Sequence, residues 1–188
     1  MVEIPPSVFA INREGLRMGN WQRITQISIE SDSGVLYRSC LPGSSRYDPE
    51  SLVLDEWTIR GIDVVFTLMP VEEMVARRGD DIINDISEHG FEQRHHPIKD
   101  FGAWEEGAFR TLVIELDEVL TNNQTVVVHC HAGVGRTGTL IAGLLIHRGH
   151  EIESAIGIIN IHGMSVESHG QRELLERFFA TRNFHDNP

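Results

Sequence analysis

The sequence predicts an α/β domain, a central and mostly parallel sheet flanked by helices, and three observations carry that expectation. Strand-like and helix-like segments alternate along the chain, the pattern of layered α/β architecture. Two short runs, 62–68 and 126–128, are apolar on both faces, as strands inside a sheet are. Segment 139–147 is apolar nearly all round and must be a buried helix. At 188 residues the chain has the length of one domain, for which about 100–200 residues is usual. Residues 1–20, rich in Pro, Gly, Asn and charge without a clean period, form an N-terminal arm; residues 21–184 form the folded unit.

The elements follow in order. Alternation over 24–30, a break at Asp32-Ser33-Gly34 and renewed extended character over 35–39 predict an antiparallel hairpin. Leu41-Pro42-Gly43 interrupts the chain before a helix at 52–60, which Gly61 stops ahead of the strand at 62–68. Helical spacing recurs at 71–77 and 81–89, with Gly90 at the C-terminal cap, and 91–98 is extended. Over 104–120 the residues Phe109, Leu112, Val113, Leu116, Val119 and Leu120 share one face at spacings of three and four, so this is an amphipathic helix. Asn122-Asn123 turns the chain into the strand 126–128, whose two apolar faces place it centrally. Helices at 139–147, 152–161 and 171–181 complete the unit.

Composition removes several classes of function. The formal net charge of −12 repels nucleic acid and anionic membrane surfaces alike, so neither nucleic-acid binding nor stable membrane association is expected. No apolar run reaches the ~18 residues that span a bilayer, and the N-terminus lacks the basic start and apolar stretch of a secretory signal. The two cysteines, Cys40 and Cys130, support neither a disulfide framework nor a cysteine zinc site, and a cytoplasmic location fits them. Histidine spacing matches no metal motif, so no metal and no cofactor are expected. Only one of the 16 basic residues is a lysine, Lys99; the rest are arginines, whose forked guanidinium suits oxyanions.

Residues 128–138 carry the chemistry. A buried strand ends in His129 and Cys130, a loop of His131, Ala132, Gly133, Val134 and Gly135 follows, and Arg136 and Thr137 open a helix. Glycines let successive backbone N–H groups converge, and the helix N-terminus adds about half a positive charge at the same point. That is a cradle for one tetrahedral oxyanion, formed by His131 through Gly135 with Arg136 gripping two oxygens. Positive potential favours the nucleophilic anion of a nearby thiol. Cys130 is therefore placed to attack phosphorus, form a cysteinyl-phosphate and be released by water, two easier steps in place of one hard one. Thr137 is positioned to donate its hydroxyl to the sulfur as it leaves, and His129 to order the loop from behind.

HCHAGVGRTG is similar to the HCxxGxxR[ST]G signature of the cysteine-dependent protein phosphatases, with His131 where the tyrosine-specific enzymes commonly have Ser. More loosely, YRSCLPG, GIDVVFTL and HHPIKDFG resemble the kinase-associated branch of the dual-specificity enzymes over roughly residues 35–180. The resemblance implies a dual-specificity phosphatase-like catalytic domain at 21–184 and a phosphorylated protein or peptide as substrate. It also implies hydrolysis of phosphotyrosine, with phosphoserine and phosphothreonine admitted by a shallow cleft. The family's general acid lies in a loop about where Asp100 stands, 30 residues before Cys130, and helix 104–120 is expected to leave one sheet edge and return to it, keeping both residues at one end. Glu105 and Glu106 are the next candidates, although the helix dipole favours them at its start. Gln171 matches in position a glutamine that places hydrolytic water in parts of the family, Phe101 and Trp104 are candidates to flank the cleft, and Ser165 and Ser168 read as helix caps.

Two other functions are weighed against this one. A phosphoinositide or other small phosphomonoester is the alternative substrate; no lysine stands in the cradle to hold extra phosphates, although a protonated His131 would help. A phosphoprotein-binding module without turnover would use the same cradle, but Cys130, Arg136 and Asp100 are all intact. Cys40 is a candidate resolving partner for an oxidised Cys130.

Overall fold

The computed structural model describes residues 22–29 and 34–181. The arm expected at 1–20 and most of the first hairpin's turn lie outside the described residues. Among the described residues five strands form one sheet: β1 (Ile24–Ile27), β2 (Val35–Ser39), β3 (Val64–Thr67), β4 (Glu92–His95) and β5 (Thr125–His129), in the order β1-β2-β5-β3-β4. The hairpin β1–β2 is antiparallel as expected, and every other pairing is parallel. The valines of β5 are buried on both faces and the strand is central.

Seven helices among the described residues cover this sheet: α1 (Val53–Ile59), α2 (Val71–Arg78), α3 (Ile83–Glu88), α4 (Glu106–Thr121), α5 (Gly135–His147), α6 (Ile152–Ile161) and α7 (His169–Thr181). Helix α5, buried from Gly135 to Ile146, is packed by α4, α6 and α7. Its start is four residues earlier than the apolar run suggests, because its first turn, Gly135-Arg136-Thr137-Gly138, is helical but carries no large apolar side chain. Helix α1 sends Trp57 under the sheet, its Nε1 donating to Ser39 Oγ at 3.2 Å and its ring 5.4 Å from that of His129.

Parallel pairing aligns the carboxyl ends of four strands. In register, His129 faces Ser39 on one side and Thr67 on the other, so the loops after β2, β3, β4 and β5 open along one edge, where α/β sheets hold ligands. Helix α4 does not return to the edge it leaves: it runs from the edge strand β4 to the central β5. Both strands still point the same way, so Asp100 and Cys130 reach the same end for that reason.

At Gly143 any side chain would press into the Phe109 ring and Val113, where α5 closes on α4. Gly143→Val is expected to lower stability by about 2 kcal/mol through overpacking, read as a reduced urea midpoint with an unchanged slope. An unaltered midpoint would show that this contact relaxes freely.

Candidate active site

Cys130 directly follows β5 and is 3% exposed, at the base of a cavity of about 250 Å³. The cavity is lined by the cradle, by Asp100 and Phe101 from the loop after β4, by Glu167 before α7, and by Arg46, Tyr47 and Arg77. The chain can turn tightly at Gly133 because φ is +70°, a region that L side chains rarely adopt. A Cβ there would also drive into the Ser39 carbonyl of β2. The loop is held to its neighbour by the Leu41 N–H donating to the His131 carbonyl at 3.0 Å. Among the described residues, the N–H groups of His131, Ala132, Gly133 and Val134 donate to no protein acceptor, which is the condition an anion cradle needs.

Arg136 is 2% exposed. Its Nη1 and Nη2 donate to the two carboxylate oxygens of Glu73 at 2.7 and 2.8 Å, a bidentate fork. Nη1 also donates to the Ile98 carbonyl at 3.0 Å, and Nη2 lies 3.1 Å from Asp100 Oδ1. Burial opposes the guanidinium charge, but the bonds and charge of Glu73 outweigh it and the pKa is raised. Its Nε is buried with no partner among the described residues, a donor left for a ligand oxygen. A second buried arginine, Arg38 on β2, donates from Nε to the His162 carbonyl at 3.2 Å, and its charge interacts with Cys40 and Cys130.

His129, expected to order the loop from behind, bonds across the sheet to β3. It is fully buried, Nε2 lies 2.8 Å from Thr67 Oγ1, and burial above all pushes its pKa down to about 3. His131 pairs through Nε2 with Ser44 Oγ at 3.2 Å and meets the Tyr47 ring edge at 4.8 Å. Burial, then the charge of Arg77, pushes its pKa down to about 4, so it is a neutral imidazole near pH 7. Thr137 is buried and its hydroxyl has no hydrogen-bond partner among the described residues, so the bond to the sulfur is not formed here.

Gln171 is neither at the solvent nor on the cavity wall. It is fully buried, its Oε1 accepts from the Glu167 N–H at 2.9 Å and its Nε2 donates to the Gly102 carbonyl at 3.2 Å. It ties the loop of Asp100 to the loop of Glu167, and the water-placing role expected of it gives way to this bracing contact. Phe101, 58% exposed, stands at the rim, whereas Trp104 is core and stacks on Phe109 at 5.8 Å. Glu105 and Glu106 begin α4 as expected, and Ser168 caps α7 by accepting from the Gln171 N–H at 3.2 Å.

Sequence reasoning missed Glu73, Glu167, Arg46 and Arg77. Each comes from an element distant in sequence, and nothing local distinguishes it from an ordinary surface charge. Glu167 is pushed upward in pKa by burial and by Asp100, with Arg136 opposing.

A family model described as "Polymorphic toxin system, DSP-PTPase phosphatase" matches residues 42–150. Cyclin-dependent kinase inhibitor 3 of Rattus norvegicus is 24% identical over 170 residues, 89% of this chain and 78% of that protein. Receptor-type tyrosine-protein phosphatase V of Rattus norvegicus is 34% identical over 85 residues, 39% of this chain and 5% of that protein. Among solved structures, kinase associated phosphatase with a serine for its catalytic site cysteine is similar at a TM-score of 0.72 and 23% identity, covering 80% of this chain and 89% of that one. PTPMT1 in complex with PI(5)P is similar at 0.66 and 22% identity, covering 86% and 97%. At these identities the two structures speak to the fold.

The two buried histidines set a pH dependence of stability. Unfolded, each imidazole binds a proton near pH ~6.5; folded, His129 and His131 do so only near about 3 and about 4. The unfolded state then holds more protons, so their contribution is complete above the unfolded value and is lost as pH falls toward the folded ones. The slope is about 1.4 kcal/mol per pH unit for each histidine. Urea midpoints between pH 7 and 5 should fall accordingly, and His131→Gln should flatten the fall by one histidine's share. An identical slope in that variant would show that His131 contributes none of the loss.

Proposed function

The chain belongs to the DSP-PTPase phosphatases of polymorphic toxin systems, which are metal-independent, cysteine-dependent enzymes, and from that premise we propose that Cys130, Arg136 and Asp100 perform the hydrolysis on a phosphorylated protein. The observation that carries this reading is Arg136 forked on Glu73 beside Cys130, with its Nε and four loop amides left without protein partners.

In the first step the phosphoryl oxygens take the amides of His131 through Gly135 and the Nε of Arg136. These donors stabilise charge as it spreads over the equatorial oxygens. The sulfur of Cys130 attacks phosphorus, the bond to the ester oxygen breaks, and Asp100 gives that oxygen a proton. In the second step water attacks the cysteinyl-phosphate, Asp100 accepts the water's proton, and the P–S bond breaks to restore the thiolate. His129 and its bond to Thr67 hold the strand end under the sulfur, and Gln171 holds the Asp100 loop.

The relatives' names support a protein substrate: one is kinase associated and another is an inhibitor of a kinase. Phe101 at the rim suits packing on a phosphotyrosyl ring, and membership of the dual-specificity family extends the reading to phosphoserine and phosphothreonine. The strongly acidic chain and the absence, among the described residues, of a helix long and apolar enough to cross a membrane favour a substrate met in solution in the cytoplasm.

Cys130→Ser should abolish turnover of a phosphotyrosyl peptide while retaining its binding. Asp100→Asn should lower kcat by about 10²–10⁴-fold on esters with poor leaving groups and far less on p-nitrophenyl phosphate. A loss of equal size on both would take the proton-donor role from Asp100. Binding by the unaltered protein with no phosphate release would make the chain a recognition module.

A further inference from the structure

We infer that Arg46 and Arg77 form a second anion subsite beside the phosphoryl cradle, which takes a carboxylate or second phosphate next to the phosphorylated residue of a peptide substrate. The inference rests on the phosphatase reading and adds to it the class of substrate.

Most of the positive charge in this acidic protein is already spent on partners. Eight described arginines lie on carboxylates, Arg136 among them, held by Glu73 and Asp100. Arg46 and Arg77 have no carboxylate at ion-pair distance among the described residues, and both line the same cavity as Cys130. Two unneutralised guanidinium groups at the mouth of a phosphate cradle need a physical account in a chain of net charge −12.

They are brought together by the backbone. The N–H and the hydroxyl of Ser45 both donate to the Arg77 carbonyl at 3.4 Å, which fixes the turn carrying Arg46 to the C-terminal end of α2. That turn is itself rigid: the buried Asp48 carboxylate accepts from the N–H groups of Gly43, Leu52 and Val53 at 2.8, 2.9 and 3.2 Å. The Arg46 guanidinium rests 5.3 Å from the centre of the Tyr47 ring, and that ring abuts His131 of the cradle. The charge of Arg77 is felt at His131 as well. Both cations therefore stand one side chain away from the phosphate loop, on supports that hold them there.

A single phosphoryl group is satisfied by the loop amides and Arg136. Arginine forks at the rim then meet whatever anion the substrate carries next to it, and carboxylate and phosphate both match the fork. A peptide is favoured over a lipid headgroup because the whole molecule repels an anionic bilayer, whereas a local pair of cations is enough to draw an acidic peptide. The exposed Phe101 on the rim also offers a surface for a peptide's side chains.

The test compares kcat/KM on three substrates. These are a phosphotyrosyl peptide with acidic neighbours, the same peptide with Gln and Asn in their place, and phosphatidylcholine vesicles carrying a phosphatidylinositol bisphosphate. The unaltered protein should prefer the acidic over the neutral peptide by about tenfold, chiefly through KM, and less so at high salt. In R46A/R77A the preference should shrink to about twofold or less, and in R46E/R77E it should reverse. The kcat on the neutral peptide reports whether each variant is folded. An undiminished preference in both variants, or a larger loss on the vesicles than on the acidic peptide, overturns the subsite. Turnover of all substrates without discrimination removes the subsite alone, whereas no turnover of any by the unaltered protein removes the phosphatase reading and the subsite with it.

Discussion

A guanidinium kept charged while almost wholly withdrawn from water is the constraint on which the rest of this site depends. Moving an ion out of water costs several kcal/mol unless its hydrogen-bonding capacity is met. For Arg136 it is met by both oxygens of Glu73, the Ile98 carbonyl and Asp100. Those partners come from α2 and from the loop after β4, while Arg136 belongs to α5. They can converge only where parallel strands bring their carboxyl ends to one edge. The sheet topology thus serves the arginine, and the arginine, so fixed, presents its free Nε where the loop amides are also free.

The same economy of anchoring extends outward. Below the loop, Arg38 adds positive potential near both cysteines, while burial pushes the Cys40 thiol up, so the two sulfurs sit in one field with different surroundings. A reaction at one thiol and not at the other follows from solvent access to the cavity, since Cys130 lines it and Cys40 does not. Beside the loop, Gln171 joins Gly102 to Glu167, so the segment bearing Asp100 is braced from α7. In that segment Phe101 stands in the left-handed region at φ 57° and faces solvent.

How much of this was legible depended on whether the signal was local. The run Val126-Val127-Val128, the one-faced apolar spacing of α4 and the glycine after α3 each reveal their element because a few adjacent residues fix it. The cradle was legible for the same reason, since amides, glycine turn and helix start occupy consecutive positions. Trp104 and Gln171 could not be placed from sequence because a single residue carries no record of which side of a loop it will face; Trp104 went to Phe109 and Gln171 to two backbone groups. Glu73 looked like one acid of a helix's first turn, a common place for one, and its fork with Arg136 exists only after α2 and α5 have packed around the sheet. Lysine was sought inside the cradle as a sign of extra anion binding, whereas the available cations, Arg46 and Arg77, enter from the turn after β2 and from the last turn of α2.

The balance of charge around the cavity sets a condition on what can enter. Asp100 and Glu167 both line it, with Glu73 behind Arg136, so a phosphate dianion would meet three carboxyls and a guanidinium whose Nη1 and Nη2 are already paired, leaving only Nε to receive it. Two features relax that repulsion. Glu167 takes up its proton at higher pH than an ordinary glutamate, because burial and then Asp100 disfavour its charge. Arg46 and Arg77 restore positive potential at the mouth, where screening is strongest and where their reach over incoming anions is about a Debye length, ~8 Å at physiological salt. Attraction at the rim and hydrogen bonding at the base are therefore separate duties. The first governs how often an anion arrives, and the second, which salt screens far less, governs what happens to it beside the sulfur.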